Sequence, residues 1–300
     1  MTTSRTYIGL DLGGTNVKVA AFSEKGERIA ERIVPTLDDG TRGWLDRARV
    51  VIEDLRSACG GDARLGVAAP GFIAPDGFSV AAMPERLPGL EGLNWQEWLG
   101  LDHRVPVLND AKAALLGEVW LGAAKGSRNV VLLTLGTGVG GAAMVDGRLL
   151  HGHIGRAGHL GHTSLDPDGV PDIVGAPGSL EDAIGDCTVE RRTRGRFQAT
   201  RDLVAAYEAG TPEAVQAWLT SVRALAAALA GFVNILDPEV IVIGGGIAEA
   251  GTALFQPLRE HLDRFEWRPT GNGVRVIKAA LGRFSGAAGA AYHARELAGS

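Results

Sequence analysis

Short apolar runs separated by glycine-rich turns punctuate the first part of the chain. Tyr7 to Leu12 reads as a buried strand, and Val17 to Phe22 as its return. The Gly13-Gly14-Thr15-Asn16 turn between them predicts a hairpin. A third strand is expected at Arg28 to Pro35, followed by helical spacing from Trp44 to Ala58. Leu65 to Ala69 is a short run stopped by Pro70-Gly71, which predicts a central strand. Residues 74 to 100 read as irregular structure with one short helix. Val105 to Leu108 is the next strand, and Ala111 to Trp120 a helix.

The opening pattern then returns. Val130 to Leu135 predicts a strand, Gly136 to Gly141 a turn, and Ala142 to Val145 the return strand. Each half of the chain thus begins with strand, glycine-rich turn, strand, a weak internal repeat that suggests two related domains facing one cleft. Residues 151 to 198 read as loop-rich. Thr211 to Leu236 is helical and Ala-rich, and Glu239 to Ile243 is a buried strand. That strand runs into Gly244-Gly245-Gly246 and an expected helix to Phe265. Val274 to Ala279 and Gly286 to Leu297 complete the chain as strand and helix.

Composition narrows the class. Glycine is the outlier, with 43 residues in clusters rather than a period, as tight turns and close ligand approach require. A net charge of -5 argues against a nucleic-acid binder, which usually carries a basic face. Cys59 and Cys187 are the only cysteines, too few for a disulfide framework or a cysteine-rich zinc site, so a reduced, cytoplasmic setting is expected. Polar Met1 to Thr6 leads into the first strand, with no signal peptide and no run apolar enough to span a bilayer.

Several residues carry candidate chemistry. Gly136-x-Gly138-x-x-Gly141 matches the dinucleotide fingerprint, but the fingerprint needs a following helix, and here a strand follows. A glycine-rich hairpin still forms an anion-binding concavity from its backbone N–H groups, and Thr15 and Thr137 add hydroxyl donors. Asp11 is the one acid at the first turn, where an acid beside phosphates suits Mg²⁺. Asp110, at a strand–helix junction, is either a helix cap or the carboxylate that orients a hydroxyl and takes its proton in phosphoryl transfer. Asn109 is placed to contact a neighbouring hydroxyl. Gly244 and Gly245 suit a nucleotide base or ribose lying on bare backbone. His159 and His162, with Asp166 and Asp168 nearby, are conceivable metal ligands, although sugar hydroxyl contacts are the preferred reading. Arg191, Arg192, Arg194 and Arg196 read as a solvated surface run.

In this order and spacing the motifs resemble the ROK family (repressors, open reading frames and kinases), from Ile8 to Ala291. Asp11 to Thr15 resembles its first phosphate motif, Asn109-Asp110-Ala111 its sugar-and-base motif, and Leu135 to Gly141 its second phosphate motif. Gly155 to His162 resembles the family signature and Ile243 to Gly246 the adenosine motif. The resemblance implies an α/β, two-domain actin-like ATPase (ribonuclease H-like) fold with an interdomain active-site cleft. The expected division is residues 1–110 plus 286–300, and 111–285. It further implies ATP with Mg²⁺, Asp110 as general base, a small-molecule sugar substrate, a homodimer, and no nucleic-acid or membrane partner. Sugar contacts are implied at Asn109, His162 and Glu181. Three departures stand out. His159 occupies the place of a family Glu, Lys112 that of an Asn, and the family's cysteine-rich zinc motif is missing between His162 and Glu181, so no structural zinc is expected. A sugar-binding regulator of the same family without catalysis is the alternative. The strand that begins near residue 6 leaves no room for a preceding helix-turn-helix.

Overall fold

The computed structural model describes residues 5–60, 63–83 and 86–299. Its strands are β1 (Thr6–Leu12), β2 (Asn16–Ser23), β3 (Arg28–Pro35), β4 (Arg64–Ala69), β5 (Phe72–Ile73), β6 (Val80–Ala82), β7 (Val107–Asn109), β8 (Val130–Leu135), β9 (Val139–Val145), β10 (Arg148–Leu149), β11 (Val240–Gly244) and β12 (Arg275–Lys278). The α-helices are α1 (Gly43–Ala58), α2 (Trp95–Leu99), α3 (Asp110–Trp120), α4 (Leu180–Ile184), α5 (Val189–Arg192), α6 (Thr200–Glu208), α7 (Pro212–Leu236), α8 (Thr252–Phe265) and α9 (Ser285–Ala298). Of the polar Met1 to Thr6 stretch, residues 1–4 lie outside the described residues, as do 84–85 of the irregular 74–100 segment.

The chain divides into two compact units. The first contains the chain up to Gly126, His151–Arg156 and the chain from Ala280 onward. The second contains Ser127–Leu150 and Ala157–Ala279. The sequence placed a boundary after residue 110, whereas α3 belongs with the first unit. The reason is close packing of α3 on α9. A Cβ at Gly289 would fall on the carbonyl of Ala113, and one at Gly117 on that of Ser285. The fully buried Glu118 adds polar ties, accepting from the N–H groups of Ala123 (2.8 Å), Ala280 (3.0 Å) and Leu281 (2.9 Å).

The sheet of the first unit has the order β3-β2-β1-β4-β7, and that of the second β10-β9-β8-β11-β12. In both, the first three strands are antiparallel neighbours and the last three run parallel. The internal repeat is therefore a repeat of topology, and the fold is the actin-like α/β class the sequence implied. In the first unit, Trp44, Ile52 and Leu55 of α1 pack in one core with Ile8 and Leu10 of β1. α9 is also packed hard against β1 and β4, because Gly9 and Gly66 leave room for the carbonyls of Ala287 and Ala290. In the second unit, α7 and α8 share a core with β8 and β11. Trp218 anchors it by donating from Nε1 to the carbonyl of Ala253 at 2.8 Å.

Four expectations need correction. α7, at 25 residues with a mean hydropathy of 1.7 over its most apolar window, is long and apolar enough to cross a membrane by length and composition. Here its Trp218, Leu225 and Leu229 are buried in the core of the second unit. β9 begins at Val139 rather than Ala142. The glycine triplet does not open a long helix; a 3₁₀ segment, Gly246–Ala250, intervenes before α8. Gly251 has φ +56° and ψ -124°, which no continuing helix can hold. Finally, Arg192 is no solvated arginine. It donates to the Thr188 hydroxyl (3.0 Å), the Ser221 hydroxyl (2.6 Å) and the Gly185 carbonyl (3.0 Å), and burial pulls its pKa down to about 10.

Candidate active site

In the first unit the β1–β2 turn is held from both sides. Gly13 N–H donates to the Asn16 carbonyl at 3.1 Å. The buried Thr36 donates its hydroxyl to the Gly13 carbonyl (2.6 Å) and its N–H to the Thr15 carbonyl (2.9 Å). Gly14 and Thr15 stay exposed. The guanidinium of Arg86 lies against Gly14, where a Cβ would collide with it, and Asp38 pairs with Arg86 at 3.1 Å. A cation thus sits beside the turn that the sequence assigned to phosphate.

Asp11, at the end of β1, is paired in register with Lys18 of β2, and the two side chains meet at 2.8 Å. Burial pushes the Asp11 pKa up, and the Lys18 charge and hydrogen bond act against that rise. The first turn of α9 presses close, since a Cβ at Gly286 would lie 2.8 Å from the Asp11 carboxyl carbon.

β7 ends at Asn109, two strands from β1 in the same sheet. Asn109 is the N-cap of α3, accepting from the N–H groups of Ala111 (3.1 Å) and Lys112 (3.4 Å). Its amide nitrogen reaches the Gly71 carbonyl at 3.4 Å. Asp110 is therefore the first helical residue rather than the cap, although its Oδ1 also accepts from Ala111 N–H at 2.8 Å. It remains open to solvent. The protein packed around it raises its pKa to about 6, and the negative charge of Asp11 pushes the same way. Hydrogen bonding from Ala111 and the charge of Lys18 act against this. Two carboxylates in electrostatic reach, one paired with lysine and one not, are set up for different protonation chemistry.

In the second unit the β8–β9 turn is pinned by backbone bonds. Asp186 N–H donates to the Gly136 carbonyl and Cys187 N–H to that of Thr137, both at 2.9 Å. Glu181 of α4, 7% exposed, accepts from Val139 N–H at 2.9 Å. It packs so close to Gly138 that a Cβ there would collide with its Oε2. This carboxylate, expected to contact sugar, thus also shapes the turn. Thr137 and Gly246 line a cavity of about 590 Å³ with Thr200, Val204, Ile247 and Glu249. Thr200 is 4% exposed, and its hydroxyl has no hydrogen-bond partner, an orphan that a polar ligand would satisfy. Gly245, at φ +87°, allows β11 to end against Leu135, whose carbonyl a Cβ would strike. Gly244 is the last residue of β11.

His159 immediately precedes a 3₁₀ turn, Leu160–His162. His162 Nδ1 lies 2.8 Å from Asp172 Oδ2, so Asp172 is its carboxylate partner, not Asp166 or Asp168. Asp166 instead accepts from Asp168 N–H at 3.0 Å. Asp172 also accepts from Val174 and Ala176 N–H, each at 3.0 Å. The ligand atoms of His162, Asp172 and Glu181 lie within 4.8 Å of one another, a donor set compatible with a divalent ion. In this arrangement His162 and Asp172 are bonded to each other, and Asp172 and Glu181 to backbone N–H groups. Thr36, Arg86, Asp172 and Thr200 were missed from the sequence.

Comparison with known proteins gives a consistent result. The chain matches the ROK family over residues 7–296. It is 31% identical to a glucokinase of Halalkalibacterium halodurans, over 95% of this chain and 93% of that protein. It is 30% identical to an N-acetyl-D-glucosamine kinase of Yersinia pseudotuberculosis, over 95% and 98% respectively. A ROK family glucokinase of Streptomyces griseus, solved with glucose and AMPPNP, superimposes with a TM-score of 0.80 at 28% identity, covering 97% of this chain and 99% of that one. The motif order, the twin sheet topology and these matches have one reading: the chain belongs to the ROK family.

Proposed function

We propose that this protein transfers the γ-phosphoryl group of ATP to a hydroxyl of a hexose or related sugar. The observation that carries the reading is the state of Asp110. It is released from helix capping by Asn109, open to solvent, and has a pKa raised to about 6 by its surroundings and by Asp11. A carboxylate of that basicity, ionised at neutral pH, is suited to take a hydroxyl proton as the oxygen attacks phosphorus. The sugar O–P bond forms, the bond from phosphorus to the ADP oxygen breaks, and the proton goes to Asp110.

The turns supply backbone N–H groups to phosphate oxygens, joined by Thr15 and Thr137 and, in the first unit, by Arg86. Such donors stabilise the transferred group without covalent chemistry. Thr200 and the backbone at Gly244 to Gly246 fit the nucleoside of ATP. Mg²⁺ would neutralise phosphate charge when bound; the buried Asp11 carboxylate, its charge already balanced by Lys18, fits a role in holding it. Asn109, His159, His162 and Glu181 are assigned to sugar hydroxyls. Relatives named glucokinase and N-acetyl-D-glucosamine kinase support a hexose or amino-hexose as acceptor. Free thiols at Cys59 and Cys187 support a cytoplasmic setting. Exposed Val170, Ile173 and Val174 support a homodimer.

The test is ADP release with Mg-ATP over a panel of hexoses, N-acetylhexosamines and polyols, with Asp110→Asn as control. The variant is expected to lose most turnover and still bind sugar by calorimetry. Turnover equal to the parent would remove Asp110 from the mechanism. Absence of ADP release with every sugar, together with intact sugar binding, would favour the non-catalytic regulator.

A further inference from the structure

A second concave site lies within the first unit. It has a volume of about 390 Å³ and gathers basic side chains from three parts of the chain: Lys112 from α3, His151 and His153 from the segment after β10, and His293 from α9. This volume is in the lower range of small-molecule pockets. Asp110 and Asp11 are not among its lining residues, whereas Asn109 is.

Lys112 is the telling residue. It is 3% exposed, and its ammonium donates to the Gly155 carbonyl at 2.8 Å. Among the described residues no carboxylate lies within ion-pair distance of it. An ammonium offers three donors, and burying one without a counter-charge is costly. The acid on the pocket wall, Asp76, is already engaged, with Arg104 at 3.6 Å and with Phe78 N–H at 3.1 Å.

The histidines report the same imbalance. Burial lowers the pKa of Lys112. Burial and the charge of Lys112 lower that of His151. Burial and the proximity of His151 bring His293 down to about 4. Each basic group thus makes protonation of the next harder, and an entering anion would reverse the sign of the local field. A metal cation would meet Lys112, and a neutral sugar would leave the ammonium unpaired.

We propose that Lys112, His151 and His293 form an anion site for a phosphate group, either inorganic phosphate or the phosphate of a small phosphomonoester. Neither the hairpin turns nor Asp110 takes part, but Asn109, assigned above to sugar hydroxyls, shares the cavity wall, so the anion site adjoins the proposed acceptor site.

The experiment follows the imidazole signals of the full chain by ¹H–¹⁵N NMR at pH 6.5, assigned with His151→Gln and His293→Gln, as inorganic phosphate and then glucose 6-phosphate are added. The His151 and His293 signals are expected to move saturably, with their titration midpoints raised by about one unit or more. Lys112→Met is expected to weaken the effect at least tenfold. Response to both ligands identifies the phosphate group as the determinant, and response to glucose 6-phosphate alone identifies a phosphomonoester site. Should Lys112→Met not fold, the His151→Gln/His293→Gln double variant must show at least tenfold weaker phosphate binding by calorimetry with ATP saturating. Unmoved histidine signals, unchanged affinity in that double variant, or an equal response in a folded Lys112→Met protein would overturn the proposal. So would saturable zinc binding at these histidines in place of phosphate. The kinase reading is judged separately, by ADP release.

Discussion

The pH dependence of kcat/KM tests the electrostatics of Asp110 directly. In the free enzyme its pKa is raised from 3.8 to about 6, first by desolvation from the protein packed around it and then by the charge of Asp11. A general base works only when ionised, and kcat/KM reports the free-enzyme pKa. With a pKa near 6, only about a tenth of Asp110 is ionised at pH 5, which amounts to roughly 1.4 kcal/mol. At the ordinary value more than about nine-tenths would be ionised there. The expected profile is therefore a plateau above about pH 7 and a limb of unit slope below 6, with roughly tenfold lower kcat/KM at pH 5. Asp11→Asn removes the second cause and leaves the first. Its limb should move to lower pH without returning to 3.8, whatever happens to the plateau height. The assay is discontinuous ADP detection, which avoids acid-sensitive coupling enzymes, with circular dichroism at each pH to confirm folding. A profile flat down to pH 4.5, or a limb that stays fixed in Asp11→Asn, would refute the reasoning.

Three further outcomes are expected. Glu118→Leu strands three buried N–H groups, at 123, 280 and 281, and should cost at least about 3 kcal/mol, read as a fall in urea midpoint; a change below about 1 kcal/mol would show that water replaces the carboxylate. Gly245→Ala forces an alanine to φ +87° against the Leu135 carbonyl, costing about 1–3 kcal/mol, and should weaken ATP binding several-fold in a thermal-shift titration; unchanged binding would take this turn out of the nucleotide site. His159→Glu should shift the acceptor profile toward glucose-like sugars, since a carboxylate accepts more hydroxyl hydrogen bonds than an imidazole; an unaltered profile would remove His159 from the specificity argument.

What the sequence could reveal followed the reach of its signals. The hairpins at Asp11 to Asn16 and Leu135 to Gly141 were legible because strand, turn and return strand are contiguous, and their recurrence disclosed the two matching sheets. Local rules could not say whether Asn109 or Asp110 would cap α3, since both residue types cap well; the backbone decided for Asn109. Thr36 reaches back 23 residues to Gly13, and Glu118 reaches forward 163 residues to Leu281. No periodicity announces such partners. Arg86 and Thr200 were equally silent, each defined by what folds beside it. Asp172 was passed over in favour of Asp166 and Asp168 because proximity along the chain was taken for proximity in space. The Arg191 to Arg196 run looked uniform, yet Arg192 alone turns inward.

The seating of α9 bears on how the molecule is made. Its backbone lies directly on β1, β4 and α3 at glycines, so at those positions no side chain closes the gap before it arrives. Yet α9 is synthesised only after the whole of the second unit. During translation the first unit must wait with its strands made but without the helix that covers them, while the second unit has all its parts in hand. A released chain truncated after Ala279 should therefore protect the β8–β11 region from proteolysis and leave β1 and β4 open to it.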